Sequence, residues 1–359
     1  MSSSQQLAFD LGEAAASGGR FPSTRYQGSK RKLADWIWHS ISSLEFHTAL
    51  DAFGGSGAVG YRLKQAGKKV TYNDHLRFNT LIGQALIENS HRTLTDRDID
   101  GLLEQHPDTT YRWFISETFP DIYFTAEENR WLDIVTQNIP KQLDDPYQRA
   151  LAYFALFQSC MIKRPYNLFH RKNLYIREAQ VARSFGNKKT WDTPFEDHFR
   201  KFVREANRAV FDSGRDSRAL NKDILDIEPD YDLVYLDPPY MSQNGVSVNY
   251  RDFYHFLEGL ARYDEWPNMI DTASKHRRLT FQPSEWDDRA SIMPVFEKVI
   301  QHFSGSILVI SYRSDGIPAR EELVAMLKKY KRTIVQAALP QQYALSRKTD
   351  SKEILLIGI

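Results

Sequence analysis

Residues 237–240 read Asp-Pro-Pro-Tyr, directly after the apolar run Tyr231-Asp232-Leu233-Val234-Tyr235-Leu236. These residue types at that place suit one kind of chemistry. An exocyclic amine on a nucleic-acid base is a poor nucleophile because its lone pair is delocalised into the ring. The Asp237 carboxylate accepting one N–H, and the Pro238 carbonyl accepting the other, would localise that lone pair and stabilise the positive charge that develops on nitrogen. Pro239 fixes the turn together with Pro238, so both acceptors converge without further ordering, and Tyr240 offers a face for stacking. A strand followed by a rigid turn with no chemistry has the same local pattern, so the surrounding sequence has to decide.

The element that positions these residues is the run itself. It is short and apolar, and it ends in two residues that cannot donate a ladder hydrogen bond, the pattern of a buried strand leaving its sheet. In open α/β sheets, ligands bind at that C-terminal edge. A second strand leads to a loop of a related kind. Thr48 to Phe53 reads as a strand, Gly54-Gly55-Ser56-Gly57 as a tight loop, Ala58 to Ala66 as a helix, and Lys68 to Tyr72 as a strand ending at Asn73-Asp74. Residues Gly55 to Gly60 satisfy G-x-G-x-x-G, and Asp74 follows Gly55 by 19 positions, the spacing of an acid that hydrogen-bonds a ribose hydroxyl. The unit predicts a ribose-bearing cofactor, either NAD or S-adenosylmethionine. Asp51 favours the latter: an acid just before the loop would repel a dinucleotide's pyrophosphate but suits the ammonium of a methionine moiety. Tying down the loop's backbone N–H groups is its alternative role.

Upstream, Arg25-Tyr26-Gln27-Gly28-Ser29-Lys30 precedes a stretch with helical spacing of apolar residues from Leu33 to Trp38, which Ser29 is placed to cap. A small-residue loop at a helix start, flanked by Tyr26 and Lys30, can hold a carboxylate through backbone N–H groups and charge. Taken alone, a lysine there is a solvated charge.

From about residue 78 to 160 the chain reads as helices, with a capping box at Thr125-Ala126-Glu127-Glu128. Residues 161–190 then shift in composition. Lys163, Arg164, Arg171, Lys172, Arg177, Arg183, Lys188 and Lys189 stand against the single acid Glu178, with Tyr166, Phe169, His170, Tyr175 and Phe185 among them and Asn167 as one of several loop formers. Cations interleaved with aromatics describe a surface for phosphates and bases, although a charge run can also be a plain solvated face. Thr193-Pro194-Phe195-Glu196 opens a further helix with capping residue, N1 proline and reciprocal glutamate in register.

The sheet resumes at Arg218-Ala219-Leu220, whose loop Asn221-Lys222-Asp223 can place an acid near a cofactor adenine. Met241 to Asn249 is polar, suited to a mobile loop over a site. Tyr250 to Arg262 reads as helix, Lys275 to Arg278 is a second basic cluster, and Ser306 to Ser311 is a strand. Ala319 to Tyr330 is an amphipathic helix, and the last two strands, Thr333 to Leu339 and Glu353 to Ile359, should pair antiparallel because no helix separates them.

Composition bounds the rest. With 47 basic and 46 acidic residues the net charge is +1, so any phosphate-contacting surface is local. A single cysteine, Cys160, leaves no disulfide framework or thiolate metal cluster, and no metal-ligand set is expected. No apolar run approaches a membrane span and no signal peptide is evident, which points to a cytoplasmic protein. Residues 1–24 read as a mobile tail carrying one apolar patch, Gln6 to Leu11, similar to peptides that dock on the bacterial replication sliding clamp.

In their order and type these motifs resemble those of the adenine-N6 DNA methyltransferases of the D12 class, the group that contains the Dam enzymes. The sequence Tyr26-Gln27-Gly28-Ser29-Lys30 comes first, then Asp51-Ala52-Phe53-Gly54-Gly55-Ser56-Gly57, then a long insertion, then Asp237 to Tyr240. The resemblance covers nearly the whole chain beyond the tail. It implies a doubly wound, mostly parallel seven-stranded Rossmann-like sheet with an antiparallel terminal strand, from residues 25–90 and 205–359, and a mainly helical recognition insertion at 91–204. It also implies that Tyr26 and Lys30 bind the methionine end of S-adenosylmethionine, Asp74 its ribose and Asp223 its adenine amine, while Asp237 to Tyr240 hold a target adenine flipped out of duplex DNA. Two departures matter. Tyr26 replaces the usual tryptophan of the Dam enzymes, and the insertion does not reproduce their recognition segment, so their G-A-T-C target is not carried over.

Competing expectations are an RNA adenine or cytosine-N4 methyltransferase, a nicotinamide oxidoreductase resting on G-x-G-x-x-G alone, and a DNA-binding module without catalysis. Asp237 favours adenine, because cytosine-N4 enzymes tend to carry Ser or Thr there. Double-stranded DNA is the expected partner of what reads as a monomer of bacterial or phage origin, with a cognate restriction nuclease as a second candidate.

Overall fold

A computed structural model of the chain describes residues 19–179, 188–242, 245, 247–340 and 352–359. The apolar runs become strands β1 (Thr48–Asp51), β2 (Lys69–Asn73), β3 (Arg218–Leu220), β4 (Leu233–Leu236), β5 (Met241–Ser242), β6 (Ile307–Arg313), β7 (Gly316–Ile317), β8 (Ile334–Pro340) and β9 (Lys352–Gly358). Seven of them form one sheet in the order β3-β2-β1-β4-β6-β9-β8. The first five in that order pair in parallel. The final strand, β9, is antiparallel to both neighbours, as the sequence suggests, and is inserted between β6 and β8 rather than added at the edge.

Successive side chains of a strand face opposite sides, so each strand feeds two cores. Ala49, Val70, Tyr72, Tyr235 and Val309 belong to one buried cluster with Leu132, Leu151, Phe154 and Phe199 from the helices Ala126–Gln142, Pro146–Ile162 and Phe195–Ala209. Leu50, Val234, Leu236, Leu308, Ile310 and Leu356 pack with the helices Ile292–His302 and Arg320–Leu327. Each such side chain, when fully buried, contributes about 1.5–3 kcal/mol of apolar transfer. The helices of residues 91–204 therefore share the sheet's core, which they reach through Arg77–Gly83 and Gln84–Glu88.

Local chemistry sets the helix ends. Thr125 accepts from the Glu128 N–H and the Glu128 carboxylate accepts from the Thr125 N–H, the expected capping box. The box expected at Thr193 does not form. Pro194 is the N-cap of Phe195–Ala209 without a side-chain bond, and the Thr193 hydroxyl instead donates to the Lys189 carbonyl. The helix expected over Tyr250 to Arg262 breaks at Tyr254 into Tyr250–Phe253 and His255–Ala261. Met241 is not loop: Met241 and Ser242 pair with Ile317 and Gly316. The sequence reading passed over the Ile292–His302 helix. Residues 19–24, assigned to a tail, are anchored on Phe195–Ala209: Arg20 N donates to Arg208 O at 3.2 Å and Ser23 N to Glu205 Oε2 at 2.9 Å. Gln6 to Leu11, Arg183 and Phe185 lie outside the described residues. Among the described residues no helix is long and apolar enough to cross a membrane.

Candidate active site

β1 and β4 are adjacent and parallel, with Asp51 opposite Tyr235, so the glycine loop after β1 and Asp237 after β4 emerge side by side. The loop before the first helix joins them there. The Ser29 hydroxyl caps a short 3-10 turn, Lys30–Lys32, and lies 2.8 Å from the Ser56 hydroxyl, clipping the Tyr26–Lys30 loop to the glycine loop. That places Lys30, which is buried, against the carboxylate. Its Nζ donates to Asp237 Oδ1 at 2.8 Å and to the Tyr240 hydroxyl at 2.5 Å. The Tyr240 hydroxyl is itself 2.7 Å from Asp237 Oδ1.

A residue that the sequence reading missed completes the cluster. Glu353, near the start of β9 and fully buried, lies 3.6 Å from Lys30 Nζ and 3.1 Å from the Tyr240 hydroxyl, and accepts from the Ser311 hydroxyl at 2.5 Å. Its signal was an acid entering the run Ile354 to Ile357, whose residues are all buried. A charge there needs a partner inside.

The electrostatics follow from this crowding. Burial pulls the Lys30 ammonium down, but Asp237 and Glu353 more than offset it, so its pKa stands above the ordinary value. Burial raises the Asp237 carboxyl against the pull of Lys30. Both donors converge on Oδ1, which leaves Oδ2 as the acceptor for an incoming N–H.

This cluster forms one wall of a cavity of about 350 Å³. Tyr26, Gly28, Lys30, Asp51, Phe53, Gly55, Asp74, Asp223, Asp237, Pro238, Pro239 and Tyr240 all line it. Gly57 does not; it is buried behind the loop at φ +76° as the N-cap of the helix Ala58–Gln65, a left-handed position that favours glycine. Asp51 Oδ2 accepts from Gly60 N at 2.8 Å, a tie to the first turn of the helix that follows the glycine loop, and burial pushes its carboxyl up to about 7. Asp74 accepts from Gly55 N at 3.0 Å and Leu76 N at 2.9 Å, and burial raises its carboxyl too. Exposed Asp223 caps a turn through Leu225 N at 3.0 Å.

Tyr240 lines the cavity but is largely buried. The residue is 8% exposed, with Lys30 Nζ 4.9 Å from its ring centroid and Tyr312 edge-on at 5.0 Å. The other aromatic walls are Tyr26 stacked on Tyr250 at 5.7 Å, and Phe53 edge-on to Trp286 at 5.0 Å. Tyr250 and Trp286 are further residues the sequence reading missed, since neither stands in a recognisable motif. Gly28, at φ +79°, is required there: a Cβ would sit 2.6 Å from the Tyr250 hydroxyl.

The basic stretch behaves differently from its expectation. Lys163, Arg164 and Arg177 are buried and used internally. Lys163 Nζ is 2.8 Å and Arg177 Nη2 2.7 Å from Glu128 Oε1. Arg164 donates to the Leu168 and Arg171 carbonyls at 3.2 and 3.0 Å. Cations with these partners are not available to phosphates, so they are withdrawn from the expected DNA surface. Arg171, Lys172 and Lys189 are exposed, and Lys188, partly exposed, pairs with Asp192 at 3.1 Å. Tyr166 and Asn167 stand at φ 63° and 58° in a tight turn that leaves Tyr166 exposed.

Comparison with known proteins bears on this site directly. The type II methyltransferase M2.HphI of Haemophilus parahaemolyticus is 31% identical over 343 residues, covering 93% of this chain and 96% of its own. The modification methylase LlaI of Lactococcus lactis subsp. lactis is 25% identical over 321 residues, 85% of this chain but only 49% of its own length. The type II methyltransferase M.NlaIII of Neisseria lactamica is 24% identical over 308 residues, covering 81% and 84%. Residues 26–284, which include the Tyr26–Lys30 loop, the glycine loop and Asp237 to Tyr240, match one family throughout, and the chain belongs to it: the D12 class N6 adenine-specific DNA methyltransferases.

Proposed function

We propose that this chain binds S-adenosylmethionine in the cavity beside Asp237 and methylates N6 of an adenine that has left its duplex to enter the same cavity. The observation that carries the reading is the convergence of the Lys30–Asp237–Tyr240 cluster and the glycine loop on one cavity. About 350 Å³ is the size of a small-ligand site. The donor set fits the cofactor: acids at Asp51, Asp74 and Asp223 stand near the apolar Phe53 and Ile224. Asn79 lines the cavity as well, and its Oδ1 is buried with no hydrogen-bond partner among the described residues.

The residues then divide the work. Tyr26, Gly28, Lys30 and Asp51 would hold the methionine end, Phe53, Gly55 and Asp74 the ribose side, and Asp223 the adenine. When bound, S-adenosylmethionine supplies a sulfonium methyl open to in-line displacement. Asp237 Oδ2 and the Pro238 carbonyl accept the two N–H groups of the target amine, and the Asp237 carboxylate stabilises the charge developing on nitrogen. Lys30, Tyr240 and Glu353 keep that carboxylate in one orientation before substrate arrives.

For the DNA we propose residues 91–204 as the recognition segment, contacting phosphates through Arg171, Lys172, Lys188 and Lys189 and bases through Tyr166 and Asn167. The relatives' names extend to a further proposal, that this chain protects the target site of a companion nuclease. Plasmid DNA incubated with the purified chain and S-adenosylmethionine tests the reading by modified-base sequencing. N6-methyladenine at one recurring sequence is expected; N4-methylcytosine, or no modification, would overturn it.

A further inference from the structure

Of residues 264–291 only Trp286 has a role so far, yet they carry the second basic cluster and run to the cavity wall. Their inner end is fixed to the recognition segment. The buried Tyr123 hydroxyl lies within hydrogen-bond reach of the Phe169 carbonyl and, at 2.8 Å, of the His276 carbonyl, either of which can take its proton. An antiparallel bridge between Ile270 and Leu279 closes residues 271–278 into a loop. Exposed Lys275 of that loop and exposed Lys172 line one surface depression with Arg277 and a single acid, Glu117. Lys172 of the first basic cluster and Lys275 of the second, about a hundred residues apart in sequence, thus share one surface depression. Arg278 is not part of it, being paired with Asp271 at 3.4 Å and Asp252 at 3.7 Å.

The outer end is the cavity rim. Arg251, which lines the cavity, donates to the Thr280 carbonyl at 2.7 Å, and Gln282 and Pro283 line the cavity too. Between those fixed neighbours stands Phe281, 69% exposed, the most exposed large apolar side chain among the described residues. An apolar ring held in water beside a cavity that takes a flipped base, and next to cations, matches one occupant. A base leaving its stack opens a gap in the duplex, and an inserted apolar side chain recovers part of the lost stacking.

We propose that Phe281 enters the duplex at the target base pair and fills the space the flipped adenine vacates, while Lys172 and Lys275 hold phosphates beside it. This rests on the proposed function above. If the wild-type chain methylates no adenine, that reading has failed before any variant is made.

The test uses the full chain and a duplex containing the mapped target sequence, with 2-aminopurine at the target adenine. Wild-type binding should raise the fluorescence, and Phe281→Ala should abolish most of the rise. On the unmodified duplex the variant's kcat/KM should fall about tenfold or more. Removing the base opposite the target adenine makes flipping easier and should bring the variant within a few-fold of wild type. Phe281→Leu should lie between the two, and S-adenosylmethionine binding by calorimetry should be unchanged in both. Lys172→Ala and Lys275→Ala should each make log K against log salt shallower by about one unit. Wild-type flipping and turnover in Phe281→Ala, or a loss that the abasic duplex does not rescue, would overturn the wedge. Unchanged salt slopes would remove the two lysines from the DNA path.

Discussion

Lys30 and Lys163 are both buried lysines 2.8 Å from a carboxylate, yet they belong to different machines. Lys30 and its partner Asp237 line a cavity at the sheet's C-terminal edge, where one carboxylate oxygen is left for a ligand. Lys163 and Arg177 close around Glu128 within the helical core, and Glu128 also caps its own helix. In the proposed function the first ion pair serves the chemistry, whereas the second is a rivet. What separates them is the open space beside the acid.

The largest effect that would break this contrast is on stability. Glu128→Ala strands Lys163 and Arg177 as buried, unpaired cations and should cost about 3–5 kcal/mol, read by denaturant or thermal unfolding. A loss below about 1 kcal/mol would mean the rivet does not exist. Burial raises the Glu128 carboxyl, but Arg177 and Lys163 overcome this and hold it below its usual range. Its contribution is therefore present at neutral pH and lost as the pH falls through that lowered value.

Glu353→Gln keeps the shape and removes the charge behind Lys30. We expect kcat to fall roughly tenfold with folding and the KM for S-adenosylmethionine nearly unchanged, because the orientation of Asp237 suffers more than cofactor contact. A change in KM alone would assign Glu353 to binding instead.

The smallest effect concerns Asp51, whose carboxyl stands at about 7. A cationic ligand favours its ionised form, so S-adenosylmethionine affinity should tighten severalfold from about pH 6 to 7.5, and Asp51→Asn should lose that dependence. In the free protein the sign is opposite. A raised carboxyl pKa gives a contribution present below the ordinary carboxylate range and lost as the pH rises through about 7. Flat affinity in the wild type would leave Asp51 as a loop tie only.

The strand edge was legible because its information is local. The two prolines after Leu236, the glycines after Phe53 and the spacing from Gly55 to Asp74 each constrain the backbone where they stand. The basic stretch was not, because charge composition does not reveal pairing: Glu128, the partner of Lys163 and Arg177, lies on another helix tens of residues earlier. Glu353 was hidden for the same reason, with its partners on β4's turn, β6 and the N-terminal loop. Tyr240 was recognised as a site residue, but only the fold shows its hydroxyl turned into the carboxylate cluster. At Tyr254, where the expected helix breaks, the ring stacks on Tyr26 at 4.9 Å, a contact between segments far apart in sequence.

The most direct test compares nucleosides by mass spectrometry after DNA is incubated with S-adenosylmethionine and either the wild-type chain or Asp237→Ala, with cofactor binding measured in parallel. The wild type should yield N6-methyldeoxyadenosine. The variant should yield it at a rate lower by on the order of 10²–10³-fold or more while still binding the cofactor. Equal methylation by the variant would contradict the role given to Asp237.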